Sequence, residues 1–164
     1  MSGRASRAGA VLFALWGLLH VVGAVAMLGT LSGDGPAGLL ALVATGLPSP
    51  SLSGVDGAAI SAVLAQHSWD LLVIGATVFL VAITLNWRGR RSGFWVNAGL
   101  VSAVDAGLLG TMVASGVMRP TDALPGLALW IPAVLLSGWG LYRTRWVRAA
   151  PEVGPPAARP FPAP

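Results

Sequence analysis

The stretch AGAVLFALWGLLHVVGAVAMLGTL, residues 8–31, contains no charged side chain and decides the class of fold. A helix needs about 20 predominantly apolar residues to cross the hydrocarbon core of a bilayer, so this stretch predicts a membrane span over residues 9–31. Comparable runs predict three more spans, at 69–87, 94–118 and 124–142. Because backbone polar groups must be satisfied within the lipid, we expect an all-α bundle of four transmembrane helices.

The composition of the chain supports a membrane protein and excludes several classes of site. Apolar residues make up 55% of the chain and charged residues 10%, against roughly 25% charged residues in soluble domains. The ten basic residues are all arginine and occur in a few short groups, whereas nucleic-acid binding needs positive charge spread along a face. The absence of cysteine excludes disulfides, thiolate metal sites and iron–sulfur clusters.

The arginines also predict an orientation, because cytoplasmic flanks of membrane spans are enriched in basic residues. One side of the predicted membrane carries a single arginine, Arg119, beside Asp34, Asp56 and Asp122. The opposite side, which includes both termini, carries eight arginines: Arg4, Arg7, Arg88, Arg90, Arg91, Arg143, Arg145 and Arg148. We therefore place this second side, and with it both termini, in the cytoplasm.

The predicted membrane domain covers residues 1–148. Two segments lie outside the four predicted spans, one within this domain and one after it. Residues 32–68 form a long outer loop, in which the apolar stretches 38–46 and 58–66 are too short to span. These stretches lie on the outer leaflet or fold over the bundle as a lid. Residues 149–164 are rich in proline and predict a disordered tail.

A cleaved signal peptide is an alternative for the first apolar segment. Arg4 and Arg7 form a basic start, and residues 24–26, Ala-Val-Ala, resemble a small-residue cleavage site. We favour a retained span, because the apolar run exceeds the usual 7 to 15 residues of a signal peptide and carries Trp16 and His20. N-terminal sequencing of the extracted protein decides between the two.

The clearest candidate for chemistry is Asp105, which the third span carries roughly 15 Å from Trp95 at the cytoplasmic boundary. An ionisable residue at this depth costs about 2.5 to 3.5 kcal/mol on insertion and indicates a functional site. His20 on the first span lies at a similar depth, roughly 18 Å from Ala8. The two side chains are therefore predicted to meet as a proton-exchanging pair. The alternative for His20 is a hydrogen bond to a neighbouring helix.

A second candidate pair lies at the start of the second span, near the outer face. His67 and Asp70 are three residues apart on one helical face, an arrangement suited to proton relay, although Asp70 also suits a helix N-terminus. Trp69 beside them, Trp16 and Trp130 are predicted to line an apolar or cation-stabilising pocket. Pro132, two residues after Trp130, predicts a kink that helps to open it.

We predict no metal and no cofactor. Haem held by His20 and His67 would require equal depths for the two ligands, and these histidines differ in depth. Two histidines and one carboxylate without close spacing are a weak metal signal. Small residues at four-residue spacing on the third span indicate close packing in the bundle or self-association; they are Ala103, Ala106, Gly107, Gly110 and Ala114.

Together these features predict a small multi-pass protein of the cell membrane that binds or transforms a lipophilic small molecule through Asp and His acid–base chemistry. As an enzyme it would be a membrane-embedded isomerase, cyclase or hydrolase, acting by isomerisation, cyclisation or epoxide opening. The alternative is a non-enzymatic accessory subunit or small transporter in a larger membrane complex. Partners other than the bilayer and the ligand would be a second copy of the chain or a subunit of that complex.

Overall fold

The computed structural model describes residues 2–48 and 57–149, with side chains for residues 3–48 and 57–143. Within these residues the chain forms helices and no strand. Two of the helices continue into π-helical turns, Ala82–Asn86 and Leu109–Val113. The four α-helices are α1 (Ser2–Val43), α2 (Ala58–Val81), α3 (Arg91–Leu108) and α4 (Pro120–Ala149).

All four helices are long and apolar enough to cross a membrane, which confirms the predicted all-α, four-helix architecture. Large apolar side chains cover much of the outer surface; Val63 is 69% exposed and Leu135 is 65% exposed. Soluble proteins seldom expose apolar surface on this scale, so hydrocarbon is the solvent that suits it. The chain is therefore a multi-pass membrane protein.

The arginine-bearing segments lie together at one end of the bundle, which we call the arginine end. The guanidinium of Arg7 on α1 lies 5.5 Å from the ring centroid of Trp87, after α2. A Cβ atom on Gly140 of α4 would lie 2.8 Å from the backbone nitrogen of Ser6. The start of α1, the turn between α2 and α3, and the last turns of α4 therefore share one end, as expected for helices that alternate in direction.

The predicted outer loop is shorter than residues 32–68. Helix α1 continues to Val43 across a break at Gly35, whose φ of 70° is a conformation that favours glycine, and Pro36 follows at the start of the second part. Helix α2 begins at Ala58 rather than near Trp69. The apolar stretches at 38–46 and 58–66 thus largely extend the helices, and residues 49–56 lie outside the described residues.

The segment after Gly35 packs onto the bundle at the end opposite the arginines. Leu39 is fully buried. The amide of Gly46 donates to the carbonyl oxygen of Val117 at 2.9 Å, and Arg119 Nε donates to the carbonyl oxygen of Thr45 at 2.8 Å. These bonds tie the segment to the connection between α3 and α4.

Helix α1 is the centre of the bundle, and glycines set its distance from its neighbours. A Cβ atom on Gly17 would lie 2.6 Å from the carbonyl oxygen of Gly75 on α2, and one on Gly9 would overlap Ser137 on α4. Small residues of this kind let membrane helices pack closely. The core between them is formed by Phe13, Trp16, Val78, Ala82, Ala98, Val101 and Ala133.

The small residues of α3 do not pack within the bundle, contrary to one of the two predictions for them. All five, from Ala103 to Ala114, are exposed, and a Cβ atom on Gly107 or Gly110 would meet nothing within 4 Å. The four-residue spacing marks one face of a helix but does not say whether that face points inward. Here Ala98, Val101 and Asp105 occupy the inward face instead.

Candidate intramembrane site

Asp105 lies at the centre of the candidate site, on the inward face of α3. Its side chain is fully buried, and its Oδ2 atom accepts a hydrogen bond of 3.0 Å from the indole Nε1 of Trp16 on α1. Its other oxygen, Oδ1, has no hydrogen-bond partner among the described residues. A single accepted hydrogen bond replaces only part of the hydrogen bonding to water that a carboxyl group loses on burial.

Helix α4 closes the other side of the carboxyl group. A Cβ atom on Gly126 would lie 3.4 Å from Asp105 Oδ1, so this glycine lets the α4 backbone approach the unpartnered oxygen closely. Pro125 precedes it and lacks the N–H that would continue the helical hydrogen-bond ladder. The Asp105 carboxyl group therefore lies between an indole N–H donor and a helix surface without a side chain.

His20 does not pair with Asp105 as predicted. Its ring stacks on that of Trp16, with centroids 3.6 Å apart and an interplanar angle of 23°, because residues four apart lie on one face of a helix. The Trp16 carbonyl oxygen lies 2.9 Å from His20 Nδ1 and can only accept, so Nδ1 carries the proton in this bond. Trp16 thus stands between the two predicted partners, bonded to one and stacked on the other.

A second tryptophan of the predicted pocket also donates to α3. Trp130 Nε1 on α4 gives a hydrogen bond of 2.9 Å to the hydroxyl of Ser102. Ser102 lies three residues before Asp105, so the two tryptophans from α1 and α4 contact adjacent turns of α3. Ser102 and Gly126 were missed by the sequence analysis, since neither is ionisable and serine is common in membrane helices.

The second predicted group, His67, Trp69 and Asp70, is separate from this centre. All three side chains are exposed. Asp70 Oδ1 accepts a hydrogen bond of 2.8 Å from Gln66, and among the described residues no hydrogen bond joins Asp70 to His67 or to Asp105. Trp69 is 55% exposed, so it does not line an enclosed pocket with Trp16.

A metal site is not assembled by the described part of the chain. No group of three or more His, Asp or Glu residues there could hold a metal ion, and His20, His67 and Asp70 do not come together.

Further buried polar side chains lie toward the arginine end. Asn97 Nδ2 donates to the carbonyl oxygen of Val78 at 3.1 Å, next to the π-helical turn after α2. Asn86 and Ser137 are also buried, and neither side chain has a hydrogen-bond partner among the described residues. Asn97 therefore bonds a helix backbone, whereas the Asn86 side chain has no such bond among the described residues.

Comparison with known proteins places the chain in no group: no protein-family model, no curated protein and no solved structure matches it.

Proposed function

We propose that this chain is a multi-pass protein of the cell membrane, with both termini in the cytoplasm, that binds a lipophilic small molecule within its bundle and transforms it by acid–base chemistry. The observation that carries the proposal is the fully buried Asp105 carboxyl group, with one oxygen held by Trp16 and the other without a partner. A carboxyl group at membrane depth costs about 2.5 to 3.5 kcal/mol on insertion, so a role beyond packing is expected.

The two carboxyl oxygens would have different roles. The indole N–H of Trp16 fixes Oδ2 and so orients the group. Oδ1 faces Gly126 and would exchange a proton with a polar group of the ligand, such as a carbonyl, hydroxyl or epoxide oxygen. This supports isomerisation, cyclisation or epoxide opening as the class of reaction, with a hydrophobic molecule bearing one polar group as the substrate.

His20 would supply the second proton-exchanging group. With Nδ1–H bonded to the Trp16 carbonyl oxygen, Nε2 is the ring nitrogen left for proton exchange. The rings of Trp16 and Trp130 would form apolar walls and stabilise positive charge that develops on the ligand. Because no hydrogen bond joins His20 to Asp105 among the described residues, the two would act at different atoms of the ligand rather than as a directly bonded pair.

The proposal is tested by extracting the protein in mild detergent and identifying co-purified small molecules by mass spectrometry. The wild type and Asp70→Asn, a matched substitution of an exposed carboxylate, should retain the same lipophilic molecule. Asp105→Asn should lose it while keeping its helical content and elution volume. Equal retention by Asp105→Asn would overturn the proposal.

A non-enzymatic subunit of a membrane complex, or a small transporter, is the second candidate. The exposed small-residue face of α3 favours it, since such a face lets a helix of another chain approach closely. Asp105 is buried and so is not the contact with that partner. Crosslinking in the native membrane tests this function: a stoichiometric product that disappears in Gly107→Leu supports it, and a chain that crosslinks to nothing opposes it.

A further inference from the structure

A second set of polar and apolar groups lies at the arginine end, away from Asp105. An open cleft of about 270 Å³ separates the start of α3 from the last turns of α4. It is lined by Arg91, Phe94, Trp95, Gly138, Leu141 and Tyr142. Apart from Arg91 this lining is mainly apolar, which suits a hydrocarbon chain rather than a water-soluble ligand.

A small polar recess adjoins the cleft, and Phe94 and Leu141 line both. The recess has a volume of about 10 Å³, roughly the room that one oxygen atom of a water or ligand requires. Asn86 and Ser137 line it and are 4% and 3% exposed. Neither Asn86 amide atom nor the Ser137 hydroxyl has a partner among the described residues. Buried donors of this kind indicate an oxygen that binds between them.

Positive charge converges on the same place. Helix α3 begins at Arg91 and has no side-chain cap, so its first N–H groups and the positive end of its dipole lie at this end of the bundle. Arg90 lines the recess and Arg91 lines the cleft. The ion pair found among the described residues, between Arg119 and Asp122, is at the opposite end of the bundle. Arg90 and Arg91 thus have no carboxylate partner in the described part.

We propose that this end of the bundle binds one anionic phospholipid. The phosphate lies at the N-terminus of α3 between Arg90 and Arg91. One phosphate oxygen accepts hydrogen bonds from the Asn86 amide and the Ser137 hydroxyl. An acyl chain lies in the apolar cleft. A lipid is the occupant because the anion site and the apolar cleft are continuous. A free phosphate would use only the first of them. Anionic lipids are enriched in the cytoplasmic leaflet, which matches the arginine bias of this end.

The test measures binding of phosphatidylglycerol, phosphatidylcholine and inorganic phosphate to the purified protein in a neutral detergent, by native mass spectrometry and by the shift in melting temperature. One phosphatidylglycerol per chain should bind and raise the melting temperature. Phosphatidylcholine should bind more weakly, and inorganic phosphate at the same concentration should produce no shift.

Matched variants distinguish lipid binding at this site from diffuse electrostatic attraction to the arginine end. Arg90→Gln with Arg91→Gln should weaken phosphatidylglycerol binding about 30-fold, since each arginine near an anionic lipid contributes about fivefold. The control pair, Arg88→Gln with Arg143→Gln, removes the same charge at the same end outside the cleft and should change binding by less than about threefold. Ser137→Ala should weaken binding about fivefold by removing one donor.

Three results would overturn the lipid site. Equal losses in both arginine pairs would show only diffuse attraction. Equal affinity for the two lipids would remove the role of charge, and an equal shift with inorganic phosphate would assign the site to a free anion. The melting temperature without added lipid identifies any variant that fails to fold. Gly138→Ala, which adds a methyl at ordinary contact distance from Phe94, provides a second variant that narrows the cleft without a clash.

Discussion

Replacing Trp16 by phenylalanine would test the hydrogen bond on which the candidate site depends. The substitution keeps an aromatic ring in the core but removes the N–H that Asp105 Oδ2 accepts at 3.0 Å. Side-chain hydrogen bonds between membrane helices are worth about 0.6 kcal/mol on average and up to about 1.7 kcal/mol. Because both groups are fully buried, we take a value near the upper end. The smaller ring leaves a void that costs about 1 to 2 kcal/mol more, for a total of about 2 to 3.5 kcal/mol.

A double-mutant cycle separates the contribution of the hydrogen bond to the free energy of unfolding from the cost of the void. Asp105→Leu removes the acceptor, so Trp16→Phe in that background should cost only the void. The difference between the two costs, the coupling free energy, should be about 1 to 1.5 kcal/mol. The free energy of unfolding is measured in mixed detergent micelles by circular dichroism, since tryptophan fluorescence changes with the substitution.

Trp130→Phe is the matched control, because Trp130 donates a bond of similar length to the neutral Ser102 hydroxyl. Its cost should not change in the Asp105→Leu background by more than about 0.5 kcal/mol. A coupling free energy between Trp16 and Asp105 below this level would refute the argument that the indole holds the carboxyl group.

Three further outcomes are expected. Gly17→Ala should destabilise the bundle by about 1 to 3 kcal/mol, because the added Cβ atom would clash with the backbone of α2. Gly107→Ala should be neutral or stabilising in the same unfolding assay, because a Cβ atom there has no neighbour within 4 Å. Asn97→Ala should cost about 1 kcal/mol by removing the buried hydrogen bond from Asn97 Nδ2 to the Val78 carbonyl oxygen, again measured by unfolding. In this cysteine-free chain, a cysteine at Ser92 should react with an impermeant maleimide only from the cytoplasmic side and one at Ser115 only from the outside; the reverse pattern would contradict the proposed orientation.

The sequence was sufficient for the architecture because the bilayer imposes a simple rule on length and polarity. The predicted spans 9–31 and 124–142 fall within α1 and α4, and most of 69–87 and of 94–118 lies in the other two described helices, which end at Asn86 and Val113. The helix ends were harder to predict. Residues 38–43 extend α1 past Gly35 although their apolar run is too short to span, because they pack on the bundle rather than cross the membrane.

The partner of Asp105 could not be predicted from the sequence. Depth placed His20 near the carboxyl group, but depth does not specify the rotation of a helix about its axis. Trp16 lies 89 residues from Asp105 in the chain, and its indole N–H is a small polar group on a side chain that hydrophobic patterns count as apolar. Ser102 was missed for a similar reason: a membrane serine commonly bonds its own helix, as Ser68 does to the carbonyl oxygen of Leu64.

The most direct test of the Asp105 centre is the indole N–H spectrum of the ¹⁵N-labelled protein in micelles. The seven tryptophans give seven indole signals, and the Trp16 signal is assigned by its loss in Trp16→Phe. We expect this signal to be protected from exchange with deuterated water and to shift in Asp105→Leu, while the exposed Trp95 signal exchanges quickly and does not shift. A Trp16 signal that exchanges as fast as that of Trp95, and whose chemical shift does not change in Asp105→Leu, would contradict the hydrogen bond between Trp16 and Asp105.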